Sequence, residues 1–349
     1  MTAKRDFRRI LLIRRKALGD SLVTMPAVLE VARAWPDATI DLVIDRPFAG
    51  LLADLAPAVR VISWPLPQGE SWLRRLRQGR YDLVIDWLGN PRTALWTALS
   101  GAPVRVGYDL PRRRWAYNVR VPRNLEGETA LRGFAGEAFL DPLRSLGLKP
   151  GPWRDGFAAN HGTLEEPPEA VRAEVRNWVE QWLARVGIPV VVIMSATWQA
   201  KKWPASHVAK LLADLPAVGV NPVLVTGPGD EWLLEALPGR LGEGLVAPNT
   251  NLAELAHVMS RAVLFVGTDC GPRHLAAAMG LPTVTIFGPT DPGGWNPPTP
   301  HHVAVRHEVD CSPCDLTICP VAGHPCLTDL DSGMVIASVE RMLANILEF

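Results

Sequence analysis

The stretch FVGTDCGPRHLAAAMGLPTVTIFGPTDP, residues 265–292, has the alternation typical of an α/β sheet. An apolar run ends in a turn of small and polar residues, an alanine-rich helical segment follows, and a second apolar run ends in Gly-Pro-Thr-Asp-Pro. Gly271 permits a tight turn, and Pro272 suits the first position of a helix. Because free N–H groups and the helix dipole favour an anion at a helix N-terminus, this stretch predicts an anion-binding strand end.

The same alternation of strands and helices runs through both halves of the 349-residue chain. Continuous apolar strands of this kind belong to a parallel sheet that is covered on both faces. Residues 149–168 are rich in Pro and Gly and predict a linker. The sequence therefore predicts two doubly wound α/β domains with a cleft between them, and ligand sites outside the carboxyl ends of the strands. The predicted strands are RRILLIRR, ATIDLVID, VRVIS, YDLVIDWLG and VRVGYD in the first half, and PVVVIMS, NPVLVTG, AVLFVG and TVTIFG in the second.

Composition and charge indicate a cytoplasmic globular protein with an anionic partner. Hydrophobic residues make up 48% of the chain, yet no apolar run reaches the roughly 18 residues of a membrane helix. The apolar run at residues 10–13 is too short for a signal-peptide core. Residues 1–150 hold 24 Lys and Arg against 15 Asp and Glu, a net +9, and the remainder holds 12 against 21, a net −9. The basic half predicts contact with an anion, with solvated basic faces as the alternative. No nucleic-acid-binding motif is present, so nucleic acid is not an expected partner.

Three further strand ends in the second half carry side chains suited to a nucleoside diphosphate and sugars. Thr197 offers a hydroxyl and Lys201 or Lys202 a cation, a combination that suits phosphate. Glu231 suits the two hydroxyls of a ribose, and Asp269 suits the hydroxyls of a sugar. Helix capping is the alternative for both acids. The predicted donor site also includes Cys270, Gly271, Pro272 and His274.

In the first half, Gly19 and Asp20 lie between the first strand and the first helix. This is the place for a phosphate loop, but neither G-x-G-x-x-G nor G-x-x-x-x-G-K-[ST] is present, and an acid would repel phosphate. Asp20 therefore has two interpretations, a general base or an N-terminal cap of the helix. The residues alone leave these two open.

Taken together, several of these segments resemble glycosyltransferase family nine, the ADP-heptose:lipopolysaccharide heptosyltransferases. The segments are RRKALGDSLVTMPAV, SATWQAKKWP, TGPGDE and NLAELAHVMSRAVLFVGTDCGPRHLAAAMGLPTVTIFGPTDP. The resemblance implies a GT-B fold with two Rossmann-like domains that face a central cleft. Residues 1–160 would bind the acceptor and residues 161–330 the nucleotide-sugar donor. The sequence of residues 331–349 predicts a C-terminal helix that packs on either domain or across both.

The resemblance also implies an inverting transfer of a sugar, heptose in this family, from an ADP-sugar to a lipopolysaccharide-core acceptor. Asp20 would be the general base, Lys201 the donor-phosphate lysine, Glu231 the ribose-binding acid and Asp269 the donor-sugar aspartate. No cofactor is expected for catalysis. The motif around Thr197 reads Met-Ser-Ala-Thr in place of the common Pro-Gly-Ala-Ser, so its phosphate contacts are less well supported by the resemblance than Lys201 is.

Such an acceptor is anionic and lipid-linked, which gives the basic first half a function. Arg112, Arg113 and Arg114 are therefore assigned to acceptor phosphates or to peripheral contact with the inner-membrane surface. A solvated basic loop is the alternative.

Four cysteines, Cys311, Cys314, Cys319 and Cys326, lie within 16 residues of each other at C-x2-C-x4-C-x6-C spacing. Four soft ligands predict a structural zinc site, with an iron–sulfur cluster, reduced thiols that pack a loop, or disulfides as alternatives.

Two rival functions fit the same architecture. One is a binding module for nucleotide sugars that has lost catalysis, and the other is a GT-B nucleotide-sugar 2-epimerase. The presence of Asp20 argues against the first, and the sequence lacks a matching motif of acids and a histidine for the second.

Overall fold

The computed structural model describes residues 6–53, 55–123, 133–153, 171–237 and 245–347. The chain divides into two compact units, Met1–Thr163 and Leu164–Phe349. The predicted linker lies mostly outside the described residues, so the domain limits given above stay a prediction.

The described part of the first unit contains a six-stranded parallel sheet in the order β3-β2-β1-β4-β5-β6. Its strands are β1 (Arg9–Ile13), β2 (Thr39–Asp45), β3 (Val59–Trp64), β4 (Leu83–Asp86), β5 (Val104–Tyr108) and β6 (Val119–Val121). Its helices are α1 (Leu18–Ala34), α2 (Arg46–Ala49), α3 (Trp72–Gly79), α4 (Pro91–Leu99), α5 (Ala135–Ala138) and α6 (Asp141–Ser145).

Strand β1 lies in the interior of this sheet, between β2 and β4, and both of its faces are covered. Its residues Ile10, Leu11, Leu12 and Ile13 are fully buried, as expected of a continuous apolar strand between helical layers. The strand order reverses between β1 and β4, which is the topological switch point where doubly wound sheets bind ligands. Asp20 follows β1 and therefore lies at this point.

The described part of the second unit contains a five-stranded parallel sheet in the order β11-β10-β9-β7-β8. Its strands are β7 (Ile188–Ile193), β8 (Val220–Leu224), β9 (Leu264–Thr268), β10 (Thr283–Ile286) and β11 (His302–Val305). Its helices are α7 (Ala173–Leu183), α8 (Ala205–Asp214), α9 (Glu231–Ala236), α10 (Leu252–Ser260), α11 (Gly271–Ala278), α12 (Pro292–Trp295), α13 (Pro325–Thr328) and α14 (Ser332–Leu347).

The switch point of the second sheet lies between β7 and β9. The C-terminal helix α14 packs on α8, β10 and β11. Trp203 joins this packing, because its buried ring donates an N–H···O bond of 2.9 Å to the carbonyl of Leu330, just before α14. Two parallel sheets with doubly wound strand orders confirm the predicted α/β class with Rossmann-like halves.

Candidate functional site

Parallel strands bring four polar strand ends of the second unit to one edge of its sheet. Residues 194–201 follow β7, residues 225–231 follow β8, residues 269–272 follow β9, and residues 287–291 follow β10. These strands are neighbours in the sheet. The residues that the sequence predicts for a donor site therefore share one edge, with the ends of β7 and β9 at its switch point.

Asp269 is the centre of a buried hydrogen-bond network at this switch point. Its carboxylate accepts hydrogen bonds from Lys201 Nζ at 2.6 Å, Thr290 Oγ1 at 2.8 Å and Arg273 Nη2 at 3.1 Å. The side chains of Asp269 and Arg273 are 5% and 0% exposed, and that of Lys201 is 15% exposed. Burial alone would raise the pKa of Asp269, but the charges of Arg273 and Lys201 outweigh it and hold that pKa well below its usual range. Asp269 is thus ionised and shared between two cations.

The network also accounts for the position of Lys201. The lysine ends a 3₁₀ turn, Gln199–Lys201, and its ammonium lies 4.6 Å from the centre of the Trp198 ring. Its remaining contact is a long one, 3.4 Å to the carbonyl of Asp269. The ammonium therefore lies between Asp269 and the Trp198 ring, with its side chain 15% exposed. Lys202 has a different neighbour, the ring of Trp232 at 4.6 Å.

Helix α11 begins at this network. Cys270 occupies the N-cap position without a side-chain cap, and Gly271 and Pro272 form the first turn. Burial raises the pKa of the Cys270 thiol to about 11, so this cysteine is protonated at neutral pH. Burial, assisted by the charge of Arg273, lowers the pKa of His274 well below its usual value, so this ring is neutral.

The turn after β8 gives two adjacent acids, Asp230 and Glu231, different environments. Asp230 is buried, accepts a 2.8 Å hydrogen bond from the backbone N–H of Gly227, and also bonds the hydroxyl of Ser195. Glu231 is exposed in the first turn of α9, with a 3.4 Å contact from the backbone N–H of Gly229. Asp230 therefore has the structural role in this turn, and Glu231 remains accessible to a ligand. Thr197 is also exposed.

In the first unit, Asp20 is the third residue of α1, and its carboxylate contacts two described residues. Its carboxylate accepts the backbone N–H of Ala17 at 3.3 Å and forms an ion pair with Arg14. Arg14 is buried, donates to the carbonyl of Trp87 at 3.0 Å and lies 4.9 Å from the Phe139 ring. The capping contact of the structural interpretation is thus present. The 30% exposure of the Asp20 side chain leaves a carboxylate oxygen accessible, and its role as base stays a prediction.

The three arginines predicted for the acceptor have separate environments. Arg114 pairs with Asp109 at 3.2 Å, and Arg113 is half-buried. Arg112 is exposed, and its carbonyl accepts a hydrogen bond from Trp115 Nε1 at 3.2 Å. These residues surround a short 3₁₀ turn, Arg114–Ala116, on α4.

The predicted zinc site is not supported. Cys311, Cys314, Cys319 and Cys326 are all free thiols, and no group of three or more His, Cys, Asp or Glu side chains in the described part of the chain is placed to hold a metal ion. Cys326 is buried in α13, while Cys311 and Cys314 are exposed. Burial, with the nearby thiols as a smaller cause, raises the pKa of Cys326 to about 11. The spacing brings the thiols near one another without directing them at a common point.

Sequence reasoning missed four side chains of these networks: Arg14, Asp230, Arg273 and Thr290. Arg273 had a detectable signal, since it follows Asp269 by four residues at the start of a predicted helix, the spacing of an intrahelical ion pair. The other three pair with residues distant in sequence or in an adjoining turn, and no local pattern marks them.

Comparisons with known proteins show the family and the fold of the chain. The family model described as glycosyltransferase family 9 (heptosyltransferase) matches residues 70–323. Lipopolysaccharide heptosyltransferase 1 of Pseudomonas aeruginosa is 30% identical over 88% of this chain and 86% of its own. A family 9 glycosyl transferase of Veillonella parvula superposes with a TM-score of 0.77, at 20% identity over 99% of both chains. The Escherichia coli heptosyltransferase WaaC with ADP gives a TM-score of 0.66, at 25% identity over 96% of this chain and 99% of that one. No described helix of the present chain is long and apolar enough to span a membrane.

Proposed function

The chain belongs to glycosyltransferase family 9 and is a glycosyltransferase, and from this premise we propose that it transfers a heptose from ADP-heptose to a lipopolysaccharide-core acceptor, with inversion at the anomeric carbon. A relative that is 30% identical has the name lipopolysaccharide heptosyltransferase 1, and a similar solved structure contains ADP. The observation that carries the proposal is the network of Asp269, Lys201 and Arg273 at the switch point of the second sheet.

The donor diphosphate would lie over the N-terminus of α11. The backbone N–H groups at Gly271 and beyond, the helix dipole and the positive charge of Lys201 all favour negative charge there. Glu231, exposed at the end of β8, would accept the ribose hydroxyls. Asp269 has two functions in this proposal, since it orients Lys201 and offers its outer lone pairs to the donor sugar.

Asp20 would accept the proton of the acceptor hydroxyl as that oxygen attacks the anomeric carbon. The carboxylate forms an ion pair with Arg14 and lies in the first turn of α1. Arg14 also directs the carboxylate, because its other nitrogen is bonded to the Trp87 carbonyl at 3.0 Å. The net charge of +9 in residues 1–150 supports an anionic, lipid-linked acceptor.

Calorimetric binding of ADP, UDP and GDP to the wild type, Lys201→Ala and Lys202→Ala tests the donor site. We expect ADP to bind preferentially and Lys201→Ala to weaken ADP by about tenfold to a hundredfold, because a charge-assisted hydrogen bond contributes about 1.5–3 kcal/mol. Lys202→Ala is the matched control, since this lysine contacts Trp232 instead of Asp269, and should change affinity less than threefold.

Equal affinity for the three diphosphates would refute the ADP-sugar donor. Unchanged ADP binding in Lys201→Ala would refute the assignment of the phosphate site.

A further inference from the structure

The exposed apolar side chains of the first unit are concentrated on one surface. Within its described residues, the large hydrophobic side chains that are strongly exposed are Leu73, Leu95, Leu99 and Trp115, at 38%, 47%, 42% and 58%. All four lie on α3, on α4 or in the turn Arg114–Ala116. Isolated exposed leucines are ordinary on a protein surface, but a contiguous group indicates an interaction site.

Packing contacts make this group contiguous. Helices α3 and α4 lie side by side, with the rings of Trp72 and Trp96 4.8 Å apart. The turn Arg114–Ala116 packs on α4 through Ala116, which contacts the Ala94 side of the helix. The three elements therefore form one surface, which we call the α3–α4 surface.

The two exposed leucines of α4 point toward solvent beside the turn Arg114–Ala116. Leu95 and Leu99 are four residues apart and so lie on one stripe of the helix, with Arg92 on the same stripe. Trp115 donates its indole N–H to the carbonyl of Arg112 at 3.2 Å. The polar end of the tryptophan is thus satisfied within its own turn, and the rest of the exposed ring presents apolar area to solvent.

The α3–α4 surface is also strongly cationic. Helix α3 contains Arg74, Arg75 and Arg77 and α4 contains Arg92, with no acidic residue in either helix. Residues 89–123 hold seven arginines and one acidic residue, Asp109. The acids near the surface are already paired, Asp109 with Arg114 at 3.2 Å and Glu70 with Arg75 at 2.8 Å.

The opposite face of the same sheet has a different charge. Because right-handed crossovers run in opposite directions from β1 and from β4, α1 lies on the face opposite to α3 and α4, and α5 packs against α1. Helices α1 and α5 contain Asp20, Glu30 and Glu137 and a single cation, Arg33. Helices α3 and α4 therefore carry more positive charge than α1 and α5 do.

We propose that the α3–α4 surface docks on an anionic lipid bilayer. Arginines attract the acidic headgroups while Trp115 and the leucines enter the interface, the combination found in surface-bound amphipathic elements. Nucleic acid would use the arginines but not the aliphatic side chains, so the exposed leucines favour lipid. The inference extends the proposed function, because docking on a bilayer would bring the enzyme to a lipid-linked acceptor. The observations that support it are those of the α3–α4 surface alone.

Co-sedimentation with vesicles tests it, using phosphatidylcholine alone and phosphatidylcholine mixed equally with phosphatidylglycerol. We expect binding to the mixed vesicles that falls steeply with added salt. The double variants Leu95→Gln/Leu99→Gln and Arg74→Gln/Arg92→Gln and the single variant Trp115→Ala should each weaken it by about tenfold or more, since one arginine near an anionic surface contributes roughly fivefold. Leu234→Gln, at an equally exposed leucine of α9 in the second unit, is the control and should bind as the wild type does.

Thermal melting followed by circular dichroism provides the check on folding of the variants, and calorimetric ADP binding without vesicles should be unchanged in each of them because the donor segments belong to the second unit. Absence of binding to the mixed vesicles, or equal binding by wild type and all variants, would overturn the proposal. Equal binding of the wild type to neutral and to mixed vesicles would also overturn it. Binding of the wild type to RNA without binding to vesicles would overturn it as well. Failure of the ADP-donor proposal would appear only in calorimetry, so the two failures are distinguishable.

Discussion

Asp269→Asn should strongly destabilise the second unit, because it removes the negative charge that two cations share. An asparagine oxygen can still accept from Lys201 and Thr290, but its NH2 group would face Arg273, which is also a donor. Arg273 is 0% exposed, and among the described residues its Nε and Nη1 have no hydrogen-bond partner. The substitution therefore leaves a buried, uncompensated guanidinium.

Loss of one partner of a buried ion pair costs about 3–5 kcal/mol. For a unit of this size, each kcal/mol lowers Tm by about 2–4 °C, so we expect the Tm of the second unit to fall by roughly 6–20 °C. Differential scanning calorimetry is the suitable assay, because it separates the transitions of the two units. Asp214→Asn is the matched control, since Lys210–Asp214 has the same 2.6 Å distance as Lys201–Asp269 but side-chain exposures of 65% and 39%. That surface pair should contribute at most about 1 kcal/mol.

A second substitution, Arg273→Leu, tests whether Asp269 and Arg273 are energetically coupled. Arg273→Leu alone leaves Asp269 paired with Lys201 and Thr290, so its cost should be smaller than that of Asp269→Asn. In the Asp269→Asn background, Arg273→Leu should recover part of the lost stability, a coupling of about 0.5–3 kcal/mol. Additive costs in the double variant, or an Asp269→Asn transition close to that of the wild type, would refute the account of this network.

Two further predictions concern the first-unit acid and the acid stability of the second unit. Asp20→Asn should lower kcat for transfer of labelled heptose from ADP-heptose by about 10²–10⁴-fold with ADP affinity unchanged. The control Asp45→Asn, which disturbs the neighbouring Arg15–Asp45 pair, should change kcat less than tenfold. Equal kcat in Asp20→Asn and wild type would contradict the base assignment. The hydrogen bond from Arg172 lowers the pKa of Glu254 to about 2 despite burial, so its contribution to stability is complete above its usual pKa of about 4.5 and is lost as the pH falls toward about 2. The Tm difference between wild type and Glu254→Gln should therefore shrink between about pH 5 and about pH 3, and a constant difference would exclude this linkage.

The sequence predicted the central strands of both sheets but missed β6 and β11. Strands β1 and β4 contain continuous apolar runs, at residues 10–13 and 83–85, because helices cover both of their faces, and β2 is mostly apolar around the buried Asp41. Strand β6 is three residues long and contains an arginine, and β11 begins with a histidine whose ring contacts Thr283 at 3.0 Å. Both are edge strands that depend on one neighbour, so their sequences do not carry the pattern of a buried strand.

The edge of the second sheet was predictable for a related reason. Parallel strands place their carboxyl ends together, so a polar turn after each apolar run predicts that the turns share one edge. The zinc prediction is not supported by the structure of the described residues, because cysteine spacing constrains distance along the chain but not side-chain direction. In α13 the helix buries Cys326, while Cys311 and Cys314 lie in the exposed loop before it.

Two of the three acids that the sequence marked as functional are ion-paired, and this changes how each would act. Asp20 pairs with Arg14 and Asp269 with Lys201 and Arg273, whereas sequence reasoning treated each acid as an independent group. A buried cation orients its acid before any ligand arrives, which lowers the reorganisation required for binding or proton transfer. The 30% exposure of Asp20 against 5% for Asp269 separates their roles: the accessible, singly paired carboxylate is suited to accept a proton, and the buried, doubly paired one is suited to hold Lys201 in position.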